Sequence, residues 1–490
     1  MNFSSLINQV AKRLPDKTAL IENGYVVPYS ELWNKVESLT RSLLELGLKK
    51  NDKIALILPN CKEFIYCFLA ILRANLIAVP INPNLTNREI KEIFDNSNPR
   101  LVIAPVNIIK RIEENNKALL KKRIIVCIEN KEDVYLKNSA KSILTIEALY
   151  RPKKEAVVHK IVTCNDQTAS INYTYRGYGY PLGAVLTHGN YIHGAVGYLR
   201  LIEPELEQRF LLAMPMSHIF TLIGCVVVPL LRGSTVVIMK NIIPTHIFKA
   251  IKKYKIDFLI GVPTFYKVLL ENYKPDYDIS SLKYGISGGA YMNEQLYYEI
   301  KKRMNFQILQ GYGLSETMPV ICNTKKKVKP SSIGIPGHEV KIKIIDERGN
   351  RRKEGELGEI LVGGPTVMKQ YYKRKAETKE VCKNFWICTG DIGKIDKDGY
   401  LYFKELKKNI VKVGGNTVDL QEIENVLKSH PKVTAVYLKV RKDVLWGHTI
   451  EASIESKKGV EISQGEIRTI CLENLAQYKI PRKIKILKKA

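Results

Sequence analysis

The sequence predicts an α/β fold: a large domain of parallel and mixed sheets covered by helices, followed by a small α+β domain. Three observations predict it. Short β-branched runs at 53–58 (KIALIL), 123–128 (RIIVCI), 234–239 (STVVIM) and 257–261 (DFLIG) recur between amphipathic stretches such as 29–46 and 87–94. Strands that alternate with helices mark βαβ units, because parallel neighbours need a crossover. Beyond Gly355 the texture changes to glycine-punctuated strands, GELGEILVGG and FWICTGDIGKIDKDGYLYF, with Asp398-Gly399 marking a hairpin turn. The last observation is a charged break, KELKK at 404–408, followed by a strand at 411–413, a helix at 420–427 and strands near 434–440 and 449–454. These place a boundary near residue 406, dividing the chain into 1–405 and 406–490.

The composition fits this division. At 490 residues the chain is too long for one ordinary domain, and 45% hydrophobic with 26% charged residues is too apolar for disorder. The opening MNFSSLINQVAKRLPDK has the spacing of a short amphipathic helix and lacks the apolar core of a signal peptide. The longest uncharged run, 210–231, is interrupted by Pro215, Ser217, His218 and Pro229, so a buried strand and a core helix are expected there instead of a membrane span. Nine cysteines are scattered singly with no CxxC pair. That argues against a zinc site or a disulfide framework and for a reducing, cytoplasmic setting.

Lysine and arginine (77) against aspartate and glutamate (49) give a formal charge of +28. Such an excess suits an anionic partner: nucleotide phosphates, an acidic carrier protein, nucleic acid or an anionic membrane surface touched peripherally. The lysines are spread along the chain without aromatic platforms, so no nucleic-acid binding is expected.

Four local patterns carry chemistry. In NYTYRGYGYPLGAVLTH (172–188) a predicted strand runs into Gly177, Gly179 and Gly183 and then a helix start. The glycines permit an anion-cradling turn, although an ordinary glycine-rich loop reads the same way. In QGYGLSET (310–317) an aromatic, a hydroxyl and a carboxylate follow the strand FQIL and suit a base, a phosphate and magnesium. Singly, Tyr312 reads more readily as a packing residue and Glu316 as a solvated surface charge, and their adjacency after a strand favours the site. In CTGD (388–391) a turn-held Asp391 suits two ribose hydroxyls, or merely caps its turn. In KVGGNTVDLQEIE (412–424), Gly414 and Gly415 allow close backbone approach to a ligand, while Glu422 and Glu424 fit a solvated helix face.

The order and spacing of YT-x4-G-x-PxG-x3-TH at 173, GYGLSE at 311, GELGEILV at 355, TGD at 389, DGYLYF at 398 and VGG-x2-V-x3-EIE at 413 resemble the adenylate-forming superfamily, specifically its fatty acyl-CoA ligases. AVPINPNLTNREI at 78, GVPTFYKVLL at 261 and SGGA at 287 extend the resemblance over nearly the whole chain. It implies a distorted β-barrel in the large domain and a small domain that rotates between half-reactions. The implied reaction activates an apolar carboxylic acid with ATP and Mg2+ to an acyl adenylate, then transfers the acyl group to CoA or to a phosphopantetheinyl acyl carrier protein.

By motif, the resemblance makes Tyr312 the adenine-stacking residue, Ser315 the contact to the α-phosphate, Glu316 the metal ligand, Asp391 the ribose ligand and Lys408 the hinge. Thr174, Gly177 and Gly179 fall in the phosphate loop, and Gly288 and Gly289 on the nucleotide side of the acyl pocket. His218 takes the aromatic gate position, Phe265 and Tyr266 lie near the acyl channel, and Gly414 and Gly415 flank the thiol tunnel.

The departures from the family pattern concern the phosphates. Where the family reads YTSGTTGxPKG, Tyr175, Arg176, Gly177, Tyr178 and Leu182 replace the serine, first glycine, two threonines and lysine. Arg176 offers a guanidinium in exchange. Leu406 stands for an arginine and Asn409 for an aspartate, and the family's C-terminal lysine falls beyond Ala490. Adenylation is therefore expected to be impaired unless Arg176 or the terminal pair Lys488 and Lys489 compensates, since each lost donor costs on the order of 3 to 4 kcal/mol. A body that binds acyl groups or carriers as a scaffold, or performs thioester chemistry alone, is the alternative.

Overall fold

The computed structural model describes residues 2–121, 123–129, 142–151, 163–406, 409–457 and 460–487. Two large sheets organise the first four hundred residues. One has eight strands in the order Gln370–Tyr371, Leu182–Thr187, Thr168–Thr174, Ile77–Pro80, Lys53–Leu56, Leu101–Ala104, Ile124–Cys127 and Ser142–Thr145. The other has nine, and its parallel centre runs Gln307–Leu314, Tyr284–Ser287, Phe258–Gly261, Arg209–Leu212 and Thr235–Ile238. These strands are buried on both faces, which is why they read as β-branched runs without alternation. The predicted runs 53–58, 123–128, 234–239 and 257–261 each fall on one of them, shortened by one to two residues.

The run 210–231 is a strand, Arg209–Leu212, followed by a broken helix through Ile219–Thr221, a π-helical stretch Leu222–Val227 and Val228–Arg232. Among the described residues no helix is long and apolar enough to cross a membrane. The nine cysteines are all free, and no cluster of three metal-ligating side chains is found among the described residues.

An antiparallel five-stranded sheet, built on Lys341–Ile345, Gly358–Gly363 and Trp386–Ile395, stands where a distorted barrel was expected. Its last strand, Leu401–Leu406, absorbs half of the charged break at 404–408, and the turn before it is made by Gly399 as predicted. From Ile410 onward the hairpin Ile410–Val413/Asn416–Asp419, the helix Leu420–Lys428 and the sheet Val433–Asp443, Gly447–Ser456, Lys483–Leu487 share an apolar core of their own.

Between this C-terminal core and the helix Asn87–Ser97 lies a buried charge cluster. Lys479, fully buried, donates to Glu89 at 2.5 Å and to Glu422 at 2.7 Å, and its ammonium lies 3.8 Å from the centre of the Tyr175 ring. Arg88 donates to the other oxygen of Glu422 at 2.8 Å and to the carbonyl of Asn474. Glu422, expected on a solvated face, is thus the most enclosed carboxylate of its helix.

Burial raises the pKa of Glu422 to about 7 despite Lys479, and neighbouring Glu89 adds to the rise. Its ordinary value is 4.5. The folded protein therefore keeps a proton that the unfolded chain releases, and stability falls as pH rises between those two values, by roughly 3 kcal/mol in all. Urea unfolding of wild type and Glu422→Gln at pH 5 and pH 8 tests this. The variant should lose that slope, and equal slopes in both proteins would overturn the assignment.

Candidate functional site

A cleft of about 1580 Å³ runs between the C-terminal ends of the parallel strands and the hairpin 410–419. Its shape follows from the sheet: parallel strands end together, so the loops after them converge on one rim. Of the residues singled out in the sequence, Thr174, Arg176, His218, Phe265, Gly289, Tyr312, Ser315, Glu316, Asp391, Gly414 and Gly415 line it. Lys408, Lys488 and Lys489 lie outside the described residues.

At one end four groups meet. Glu316, 1% exposed, accepts from the hydroxyl of Tyr371 at 2.5 Å and faces the guanidinium of Arg176 at 3.6 Å. Arg176, itself buried, donates to the carbonyl of Cys388 at 3.0 Å. Burial alone would lower its pKa, but Glu316, Tyr371 and Asp391 raise it further than burial depresses it, so the charge is secure. Tyr312 donates to Asp391 at 2.5 Å, joining the two residues implied for adenine and ribose through one short hydrogen bond. Burial raises the pKa of Asp391, opposed by that bond and by Arg176 and Lys412.

Lys412 is the residue that sequence reasoning missed here. The strand Ile410–Val413 turns Val411 and Val413 into the C-terminal core and Lys412 toward the cleft, where it donates to the Thr417 hydroxyl at 2.5 Å. Burial lowers its pKa, while Asp391 and Glu316 counteract the shift. The signal was present as a lone lysine alternating with valines at a strand start. Lys412 and burial also hold the pKa of His218 below the usual imidazole range, so that ring is neutral at physiological pH.

Several expectations are corrected. Gly183 is no part of a turn: it sits inside the strand Leu182–Thr187, against Ile171 and Tyr173, and the helix begins only at His188. Asp391 is held not by a free turn but by a bulge within Trp386–Ile395, where Gly390 takes φ 74°. Gly288 abuts the Phe220 ring and does not line the cleft. Tyr266 is a packing residue whose hydroxyl donates to the carbonyls of Leu259 and Ile286. Magnesium usually takes one or two carboxylates together with substrate phosphates. Here one oxygen of Glu316 accepts from Tyr371 and faces Arg176, and Glu316 is the carboxylate that would join substrate phosphates around such an ion.

The glycine loop does form an anion cradle. Gly177 and Gly179 adopt φ 85° and 79°, and both N–H groups point to one spot. That spot holds the carboxylate of Asp419, at 2.9 Å from each. Nearby, Gly289 (φ 76°) and Gly415 (φ 81°) bring two backbones together: a side-chain carbon on Gly289 would lie 3.3 Å from the carbonyl of Gly415. Apolar side chains, among them Met214, Phe220, Val262, Phe265 and Leu296, also line the cleft.

Comparison with known proteins adds to this geometry. A family model described as "AMP-binding enzyme" matches residues 7–372. A long-chain-fatty-acid–CoA ligase of Bacillus subtilis (strain 168) is 27% identical over 504 aligned residues, covering 98% of this chain and 90% of that protein. A solved double mutant of the Bacillus subtilis o-succinylbenzoate CoA synthetase, bound with its product analogue, matches with a TM-score of 0.85 and 26% identity, over 99% of this chain and 95% of that one. The same synthetase with its acyl-adenylate intermediate gives 0.72 at 26% identity, over 99% and 94%.

The Arg176–Glu316 pair makes a stability prediction. Arg176→Met leaves a carboxylate buried without its cation and should cost about 3 to 5 kcal/mol. Adding Glu316→Gln should recover most of that loss. Denaturant unfolding of the two single variants and the double variant measures the coupling, and additive losses would show that the pair does not interact.

Proposed function

Since the chain belongs to the AMP-binding enzyme family, we propose that it is an acid–thiol ligase. It joins an apolar carboxylic acid, of which a fatty acid is the first candidate, to ATP as an acyl adenylate, and then to a thiol, CoA or a phosphopantetheinyl carrier. The observation that carries this reading is the convergence of Tyr312–Asp391, Arg176–Glu316 and Lys412 in a cleft that apolar side chains also line.

The chemistry asks the protein for positioning and for charge. A carboxylate is a weak nucleophile, and its attack on the α-phosphorus gathers negative charge as pyrophosphate leaves. Asp391, with two oxygens for two ribose hydroxyls, and the Tyr312 ring suit the nucleoside. Arg176 and Lys412 are the fixed cations within reach of the phosphate side. In the second step the thiol attacks the adenylate carbonyl and AMP departs. Gly289 and Gly415 stand close together, and neither has room for a side chain. Phe220, Val262 and Phe265 suit an apolar acyl chain.

The likeness to the product-analogue state of the synthetase exceeds that to its adenylate state, 0.85 against 0.72. This supports reading the arrangement of residues 410–487 as the one used for thiol transfer, with movement about residue 406 leading to the other. The same observations that weaken the phosphate side, Arg176 committed to Glu316 and the glycine loop to Asp419, favour a second reading: a protein that works on acyl groups without making adenylates.

Pyrophosphate release with ATP, Mg2+ and a panel of acids from acetate to palmitate separates the two. Acid-dependent release is expected, with Asp391→Ala or Lys412→Ala lowering it by about 10² or more. Silence across the panel, with acyl-CoA still bound, would give preference to the second reading.

A further inference from the structure

The phosphate cradle of this protein is occupied by one of its own carboxylates. Asp419 is fully buried. Its Oδ2 accepts from the N–H groups of Gly177 and Gly179, and its Oδ1 accepts from Gln421 N at 2.9 Å and Glu422 N at 3.4 Å, capping the helix Leu420–Lys428. One side chain thus satisfies backbone donors from two parts of the chain more than 240 residues apart. The fit is close: a side-chain carbon on Gly179 would strike Asn425 at 2.6 Å and Gln421 at 3.2 Å.

Two further carboxylates border the same loop. Tyr178 donates to Glu380 at 2.5 Å and Tyr180 to Glu377 at 2.7 Å, so the loop is tethered on both sides of Gly179. A carboxylate oxygen held by two convergent N–H donors takes the place that a non-bridging phosphate oxygen would take. The two anions exclude each other there, and Glu377 and Glu380 add repulsion against a polyphosphate. The Asp391–Tyr312 pair, by contrast, lies beside the cations Arg176 and Lys412.

We propose that Asp419 sets the phosphate specificity of the docked arrangement: it admits a nucleoside monophosphate or an adenylate and excludes a triphosphate, which binds only after Asp419 has left the glycine cradle. Triphosphate binding and docking of residues 410–487 then oppose each other through one carboxylate. The cost of withdrawing Asp419 appears as a weaker apparent affinity for ATP, reduced by the fraction of molecules that are undocked. The inference rests on the ligase reading only in naming ATP as the anion, for the occupied cradle is a feature of the fold.

The experiment is calorimetric titration of ATP and AMP, each with Mg2+, into full-length wild type, Asp419→Ser and Asp419→Asn, with no acid or thiol present. Serine keeps an oxygen for the helix cap but is too short to reach the loop, and asparagine keeps the length without the charge. ATP should bind about tenfold more tightly to both variants, as expected if about nine-tenths of wild type is docked. AMP affinity should stay within a factor of two. Hydrogen exchange supplies the structural readout, in which the Gly177 and Gly179 amides lose protection in nucleotide-free Asp419→Ser and regain it when that variant is saturated with ATP. Equal ATP affinity in all three proteins overturns the proposal, as does an equal gain for AMP, or Gly177 and Gly179 amides as protected in nucleotide-free Asp419→Ser as in wild type. Because binding is read without turnover, failure here is distinct from absence of pyrophosphate release, which would speak against the ligase reading alone.

Discussion

A charge taken out of water needs a partner, and this protein meets that constraint by pairing its buried charges across the seam between its C-terminal core and the rest of the chain. Lys479 is held between Glu89 from one side and Glu422 from the other, and Asp419 between the glycine loop and its own helix. Neither set of partners belongs to a single side. The docked arrangement is therefore fixed by electrostatics and hydrogen bonding as much as by apolar contact, and separating the two sides must rehydrate or re-pair each group. Such a seam is stiff in one position and yet reversible, because ions and amides regain water once exposed.

The same constraint shapes the cleft. Arg176 stands in the glycine loop, where a buried guanidinium cannot wait unpaired, and Glu316 is the carboxylate that faces it. Tyr371 and the Cys388 carbonyl complete the set. The outcome is a preorganised site in which Arg176, Glu316, Tyr312, Asp391 and the glycine loop already have internal partners. Substrate must replace these contacts, so specificity arises from what it can offer in exchange: a phosphate for Asp419, ribose hydroxyls for the Tyr312 hydroxyl.

Much of this was legible in the sequence, and the rest shows where local reasoning stops. The β-branched runs became parallel strands because burial on both faces leaves no other composition for them, and Tyr312 and Asp391, on strands of different sheets, meet through one hydrogen bond. Gly177 and Gly179 were read as a cradle from conformational freedom alone. The misreadings at Gly183, Gly288 and Tyr266 share a cause: a glycine or an aromatic near a motif was assigned the motif's purpose, whereas strand pairing or packing had a prior claim. Lys412 and Asp419 eluded the sequence because their roles depend on contacts with residues far away in the chain. An aspartate before a helix declares its capping oxygen, and nothing in the local pattern declares where the other oxygen points.

That second oxygen links the parts. Glu422 follows Asp419 by three residues on the same helix start, so the carboxylate that fills the phosphate cradle and the carboxylate that shares Lys479 are carried on one rigid turn. Withdrawing one by a few ångströms must strain or break the other. A triphosphate that displaces Asp419 therefore acts on the Lys479 cluster without touching it, and the two contacts release together because the helix between them does not bend. Coupling of this kind needs no pathway through the core. It follows from placing two buried anions on one element and their partners on another.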